Sequence, residues 1–178
     1  QAKYKPQAEN SFYANRQNDR LPPKLTVSRG NANEQSRVFD AGYEALSSAD
    51  ILRLSGKTAD GEFSNVFPYE VDYELMQYGR ENYSIYCTSC HGAAGDGNGV
   101  TKPYGILATS YHDDRLRSVP DGYLYDVISN GKGLMYGLKD RLSYEQRWSI
   151  VLYLRALQRS QNLSIDALST AEKSELGL

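Results

Sequence analysis

The residues best suited to chemistry lie in "ENYSIYCTSCHGAAGDGNG", Glu81 to Gly99. Cys87 and Cys90 flank Thr88 and Ser89, and His91 follows directly. The chain holds only two cysteines and two histidines, so both thiols and one imidazole crowd into a single turn's worth of sequence. This is the spacing of c-type haem attachment. Two thioethers must reach two former vinyl groups on one porphyrin edge, and two intervening residues in a tight turn set the sulfurs that far apart. The next residue then lies beneath the ring, where an imidazole nitrogen can bind iron.

Two other chemistries compete for these residues. A structural zinc site needs four ligands, and the chain supplies no further cysteine; His91 and His112 would have to complete the set. A thioredoxin-like dithiol would follow a strand in an α/β pattern, and no strand is legible before Cys87. Haem is therefore the expected cofactor, with its iron bound by His91.

Electron transfer calls for a sixth iron ligand. The candidates are Met135, Met76, His112 or no protein ligand. Met135 is favoured: it lies in "NGKGLMYGL", where Gly131, Gly133 and Gly137 let the backbone approach the opposite haem face. Met76 reads more simply as core, and His112, in the polar "SYHDDRLR", as a surface or propionate-side residue. A carbonyl in the loop after the motif should accept the second ring N–H of His91. Pro103 is nominated for it, with Ile106 and Leu107 as alternatives. Apolar walls are expected from Tyr83, Tyr104, Ile106, Leu107, Leu124, Val127, Ile128 and Leu134. Arg115 and Arg117 are possible propionate partners, against a default of solvated loop charges.

The elements that must position this set follow from capping and periodicity. Asp72 is an N-cap for "YELMQYGRENYSIY", a helix that delivers the Cys–His turn, with Leu75, Gly79 and Tyr83 on one face. Gly79 lets another helix approach closely. "DGYLYDVIS" is a short helix stopped at Asn130-Gly131. Ser143 and Gln146 form a capping box before "YEQRWSIVLYLRALQ", the strongest helix in the chain. One of its faces, Trp148/Val151/Leu152/Arg155 or Ile150/Tyr153/Leu154/Leu157, should cross the Gly79 helix. Ser169 and Glu172 repeat the device for a short tail helix. Glycine-rich loops join three core helices, and no strand is expected.

The whole chain, 178 residues at net charge −2 and 40% hydrophobic content, suits one small domain with appendages. It has no basic footprint, which argues against nucleic acid as a partner. The longest apolar run, Ile150 to Leu154, is far short of the ~20 residues of a membrane span. The first 67 residues are mostly polar, with "YEALSSADILRL" as their one short helix. Scattered anchors (Tyr4, Pro6, Phe12, Tyr13, Pro22, Pro23) point to an arm that docks. The expected organisation is an arm over 1–67, a haem domain over 68–162 and a tail over 163–178.

Taken together, these residues resemble a class I cytochrome c, an all-α fold of three core helices around one covalent haem. Within that group, "FPYEVDYELMQYGRENYSIYCTSCHGAAGDGNG", "YHDDRLRSVPDGYLYDVISNGKGLM" and "RWSIVLYLRALQRSQ" resemble the monohaem cytochrome subunit of bacterial alternative complex III. The likeness runs from about Phe67 to Gln161 and extends more patchily to "KYKP" and "LTVSRG" in the arm. It implies haem c thioethers at Cys87 and Cys90, with iron between His91 and Met135. It implies an electron-transfer subunit rather than an enzyme in its own right. It also implies partners: the other subunits of a membrane-bound quinol-oxidising complex, including a multihaem cytochrome, and a terminal oxidase or small redox carrier as acceptor. The implied location is the periplasmic face of the bacterial inner membrane, peripheral or lipid-anchored. The family's anchor is an N-terminal cysteine, whereas this sequence begins at Gln1. Rival readings are a free periplasmic electron carrier and a haem enzyme or gas sensor with an open iron position.

Overall fold

A helix whose seventh position is glycine can be crossed at backbone range, and the fold is built on such a crossing. The structure, a computed structural model, describes residues 9–14, 16, 47–175 and 177. The chain forms two compact units, Gln1–Ala45 and Leu46–Leu178. In the first, the described residues form a local turn. Asn10 N–H donates to the Arg16 carbonyl, Arg16 N–H donates to the Tyr13 carbonyl, and the exposed Phe12 meets Tyr13 edge to face. Tyr4, Pro6, Pro22, Pro23 and residues 43–46 lie outside the described residues.

The second unit is mainly helical. Its helices are α1 (Ser48–Ser55), α2 (Tyr73–Tyr86), α3 (Thr88–His91), α4 (Asp114–Arg117), α5 (Asp121–Asn130), α6 (Tyr144–Asn162) and α7 (Thr170–Glu175), with 3-10 turns at Lys102–Tyr104 and Ile165–Ala167. Local chemistry sets the ends as the sequence indicates. The Asp72 carboxylate accepts from Leu75 N–H at 2.7 Å and opens α2. Ser143 Oγ accepts from Gln146 N–H while Gln146 Oε1 accepts from Ser143 N–H, a complete capping box for α6. Gly131 ends α5. Ser169 and Glu172 cap α7 reciprocally. A short antiparallel hairpin departs from the strandless expectation: β1 (Gly131–Lys132) pairs with β2 (Met135–Tyr136), Lys132 opposite Met135.

α2 crosses α6 through Gly79. A Cβ at Gly79 would stand 2.0 Å from the Ser149 carbonyl oxygen and 3.2 Å from Tyr153 Cβ, so no other residue allows this approach. Beside the crossing, Gln146 Nε2 donates to Oδ1 of the buried Asn82, and Tyr83 packs on Tyr153. The Ile150/Tyr153/Leu154/Leu157 side of α6 thus meets α2. The opposite side meets α5: Trp148 stacks on Tyr125 at 4.5 Å, and Arg155 Nε donates to Asp121 at 2.6 Å. Trp148, Ile150, Val151 and Tyr125 have no exposed surface and form the core centre.

The segment 47–67, which the sequence reading assigns to the arm, closes over that centre. Trp148 Nε1–H donates to the Arg53 carbonyl at 2.9 Å, and Tyr125 O–H donates to the Leu54 carbonyl at 3.2 Å. Phe67 meets the Trp148 ring edge to face at 5.4 Å, and Gly122 N–H donates to the Ser64 carbonyl. The compact unit therefore begins at Leu46 rather than near Pro68. The reason is polar as well as apolar: a buried indole N–H and a buried phenol both need acceptors, and this segment's backbone supplies them.

Candidate haem site

α2 runs straight into the Cys–His turn. Cys87 closes α2 with its N–H on the Tyr83 carbonyl, and its own carbonyl accepts from Cys90 and His91 N–H, which starts α3. Both thiols are free. Cys87 is 6% exposed while Cys90 is half-buried. Burial, and secondarily the charge of a neighbouring Cys90 thiolate, pushes the Cys87 thiol up to about 12. Tyr83 anchors the turn from below, its hydroxyl donating to the Gly92 carbonyl at 2.7 Å. The loop beyond is tied back by Gly97 N–H on the His91 carbonyl and by Thr101 N–H and Oγ1 on the Ser89 carbonyl.

His91 Nδ1 lies 3.3 Å from the Thr109 carbonyl oxygen. A carbonyl only accepts, so Nδ1 carries the proton and Nε2 is left as the free lone pair. Burial lowers the His91 pKa, partly offset by this bond, and keeps the imidazole neutral. The nominated carbonyl, Pro103, is not the partner. It sits exposed inside the Lys102–Tyr104 turn, whose backbone bonds close on itself through Tyr104 N–H to Thr101 and Gly105 N–H to Lys102. The chain turns back only after Gly105, and Tyr111 N–H on the Gly95 carbonyl then brings 109–111 alongside the motif. Sequence reasoning missed Thr109, and no local signal marks it, because any residue offers a carbonyl. It also missed Tyr111, whose ring stacks on the His91 imidazole.

Met135 stands on the hairpin at the end of α5, half-buried. The hairpin's return is fastened to α5 by Leu138 N–H on the Ile128 carbonyl and Lys139 N–H on the Ser129 carbonyl. Arg147 of α6 secures the same end. Its buried guanidinium lies 4.8 Å from the Tyr125 and Tyr144 rings and donates to Ser129 Oγ. Lys132 Nζ donates to the Tyr123 hydroxyl at 2.5 Å, which lowers the pKa of that phenol. α2 and α5 both pack on α6, so one helix carries both halves of the candidate ligand set. Met76 is half-buried on α2, and its N–H bonds to Asp72 in the first turn. His112 faces the Ala94 carbonyl through Nε2 at 2.7 Å, so it fastens the loop. Arg117 pairs with Asp114 at 3.0 Å on the surface.

These residues fit a covalent haem. The donor set is two free thiols and a neutral imidazole with Nε2 available. Of the expected walls, Tyr83, Leu124 and Ile128 are buried in the core, whereas Tyr104, Ile106, Leu107 and Leu134 are exposed, Leu134 at 97%. A run of large apolar side chains on two loops is surface that a flat apolar group would cover. The zinc alternative finds no support: among the described residues no three His, Cys, Asp or Glu side chains gather at a metal-binding spacing. The dithiol alternative lacks its strand, since α2 precedes Cys87.

Residues 74–154 match the family model described as cytochrome c oxidase, cbb3-type, subunit III. This segment is similar to a cytochrome c family domain. Its arrangement of α2, α5 and α6 with the Cys–His turn is the class I cytochrome c fold that the sequence leads one to expect. Among solved structures, the c-type cytochrome KustC0563 is 23% identical, with a TM-score of 0.40 over 45% of this chain and 96% of its own. The Kuenenia stuttgartiensis reducing HAO-like protein complex Kustc0457/Kustc0458 is 18% identical, with a TM-score of 0.45 over 54% of this chain and 49% of its own. Cytochrome CL from the marine methylotroph Methylophaga aminisulfidivorans is 16% identical, with a TM-score of 0.40 over 75% and 83%. At these values the likenesses carry no functional weight, and the assignment rests on the family model. No curated protein matches the chain.

Proposed function

We propose that this chain is a monohaem electron-transfer cytochrome that serves within a quinol-oxidising respiratory complex. The observation that carries the reading is the Cys87–Cys90–His91 turn, held by the α2–α6 crossing inside a segment similar to a cytochrome c family domain. A bound haem c would supply a one-electron ferrous–ferric couple. Cys87 and Cys90 would hold it as thioethers, and His91 Nε2 and Met135 would ligate its iron. Thr109 orients His91 and raises its basicity as a ligand. Burial of the haem against the α2–α6 core would exclude water and favour the reduced state. No bond-making chemistry is assigned to the chain.

The place in a complex rests on the sequence resemblance to the monohaem subunit of alternative complex III. In that reading a multihaem cytochrome is the donor, and a terminal oxidase or small carrier is the acceptor. The site is the periplasmic face of the inner membrane, peripheral or lipid-anchored. Among the described residues no helix is long and apolar enough to cross a membrane. The second reading is a free periplasmic carrier, to which the long segment outside residues 74–154 is a poor fit. Affinity purification of the tagged chain from detergent-solubilised membranes of its host separates the two. Co-elution of a multihaem cytochrome, with quinol-dependent reduction of this haem, is the expected result. Recovery of the chain alone in the soluble fraction would favour the carrier.

A further inference from the structure

The Tyr111 ring lies on the His91 imidazole, with centroids 4.5 Å apart and planes 20° from parallel. Nothing in the Cys–x–x–Cys–His pattern calls for it. Contacts from several elements hold Tyr111 there. Its N–H donates to the Gly95 carbonyl at 2.8 Å. Its carbonyl accepts from Nε2 of Gln158, a buried residue of α6, at 2.8 Å. The Tyr83 ring meets it edge to face, with centroids 6.4 Å apart. His112, the next residue, is fastened to Ala94. Gly95, at φ +76°, makes the room: a Cβ there would stand 2.9 Å from Tyr111 Cδ2.

The hydrogen bond from His91 to Thr109, at 3.3 Å, is longer than the usual N–H···O distance and holds the imidazole weakly. The stacked ring supplies the restraint that this bond lacks, because offset aromatic pairs resist rotation of one plane against the other. We propose that Tyr111 is a positioning residue that sets the plane of the His91 imidazole. The proposal rests on the haem reading above, in which His91 is an iron ligand. Ligand-plane orientation then becomes a property of the loop after Gly105 and of Gln158, outside the attachment motif.

The test uses the ferric holoprotein as wild type, Tyr111→Phe and Tyr111→Leu, followed by electron paramagnetic resonance and proton NMR. In the wild type, cross-peaks between the Tyr111 and His91 ring protons are expected. Tyr111→Phe keeps the stacked ring and should keep the wild-type g values. Tyr111→Leu removes the ring and should shift the largest g value and broaden the His91 resonances. Unchanged g values in Tyr111→Leu overturn the proposal. So does a shift in Tyr111→Phe as large as in Tyr111→Leu, which would assign the effect to the hydroxyl. If Tyr111→Leu does not fold, the wild-type cross-peaks and the Phe variant decide, and absent cross-peaks overturn it. A wild-type chain without any low-spin ferric haem signal is a different failure: it overturns the haem reading before any variant is compared.

Discussion

Cys87 and Cys90 sit three positions apart in the sequence but in unlike surroundings. Cys87 is sealed under the end of α2, and burial pushes its thiol up to about 12, so little thiolate exists near neutral pH. In the haem-free chain, iodoacetamide at pH 8 should alkylate Cys90 well before Cys87, and the Cys87 rate should climb as pH rises toward 12. Equal rates at pH 8 would contradict the buried placement. In the haem-loaded chain neither should react. The sixth ligand is decided at the same scale. Met135→Ala should abolish the weak near-infrared band of methionine–iron bonding in the ferric protein, and Met76→Ala should leave it. The reverse pattern would move the ligand to α2. The Cys–His turn is legible in the sequence because residue type and spacing alone mark it, whereas Met135 is nominated there from its glycine-flanked loop. Thr109 was not, because a carbonyl acceptor has no residue signature and its place depends on where the chain turns back.

The α2–α6 crossing is the element on which the site stands. Gly79→Ala puts a methyl group 2.0 Å from the Ser149 backbone oxygen, and no rotamer can move it away. The helices must separate, which should cost on the order of 3 kcal/mol or more in chemical denaturation of the holoprotein. A loss below about 1 kcal/mol would show that the crossing yields easily. Helix ends at Asp72, Ser143 and Ser169 were readable because caps are local bonds over three residues. The two-residue strands at Gly131–Lys132 and Met135–Tyr136 were not, since they are too short to show alternation and are fixed by the return of the chain onto α5. The packing of α1 was equally hidden. What ties it down is the Arg53 and Leu54 backbone, while the informative residues, Trp148 and Tyr125, lie far away in sequence.

At the scale of the molecule, the unit that begins at Leu46 contains more than the cytochrome c segment. A chain starting at Leu46 should keep the thermal stability of the haem domain. One starting at Asn65 removes the acceptors of the Trp148 N–H and the Tyr125 O–H. Each buried donor left unpaired should cost about 1–3 kcal/mol, so circular dichroism should show a markedly lower melting temperature. Equal melting of the two truncated chains would mean that segment 47–64 is ornamental to the core. The central claim, a single covalent haem on Cys87 and Cys90, is tested most directly by intact-mass spectrometry of the protein after acid-acetone extraction. The expected result is a coloured chain heavier than its 20.0 kDa polypeptide by one haem, with the Cys87→Ala/Cys90→Ala variant colourless at the polypeptide mass. A wild-type chain that emerges colourless at 20.0 kDa would contradict it.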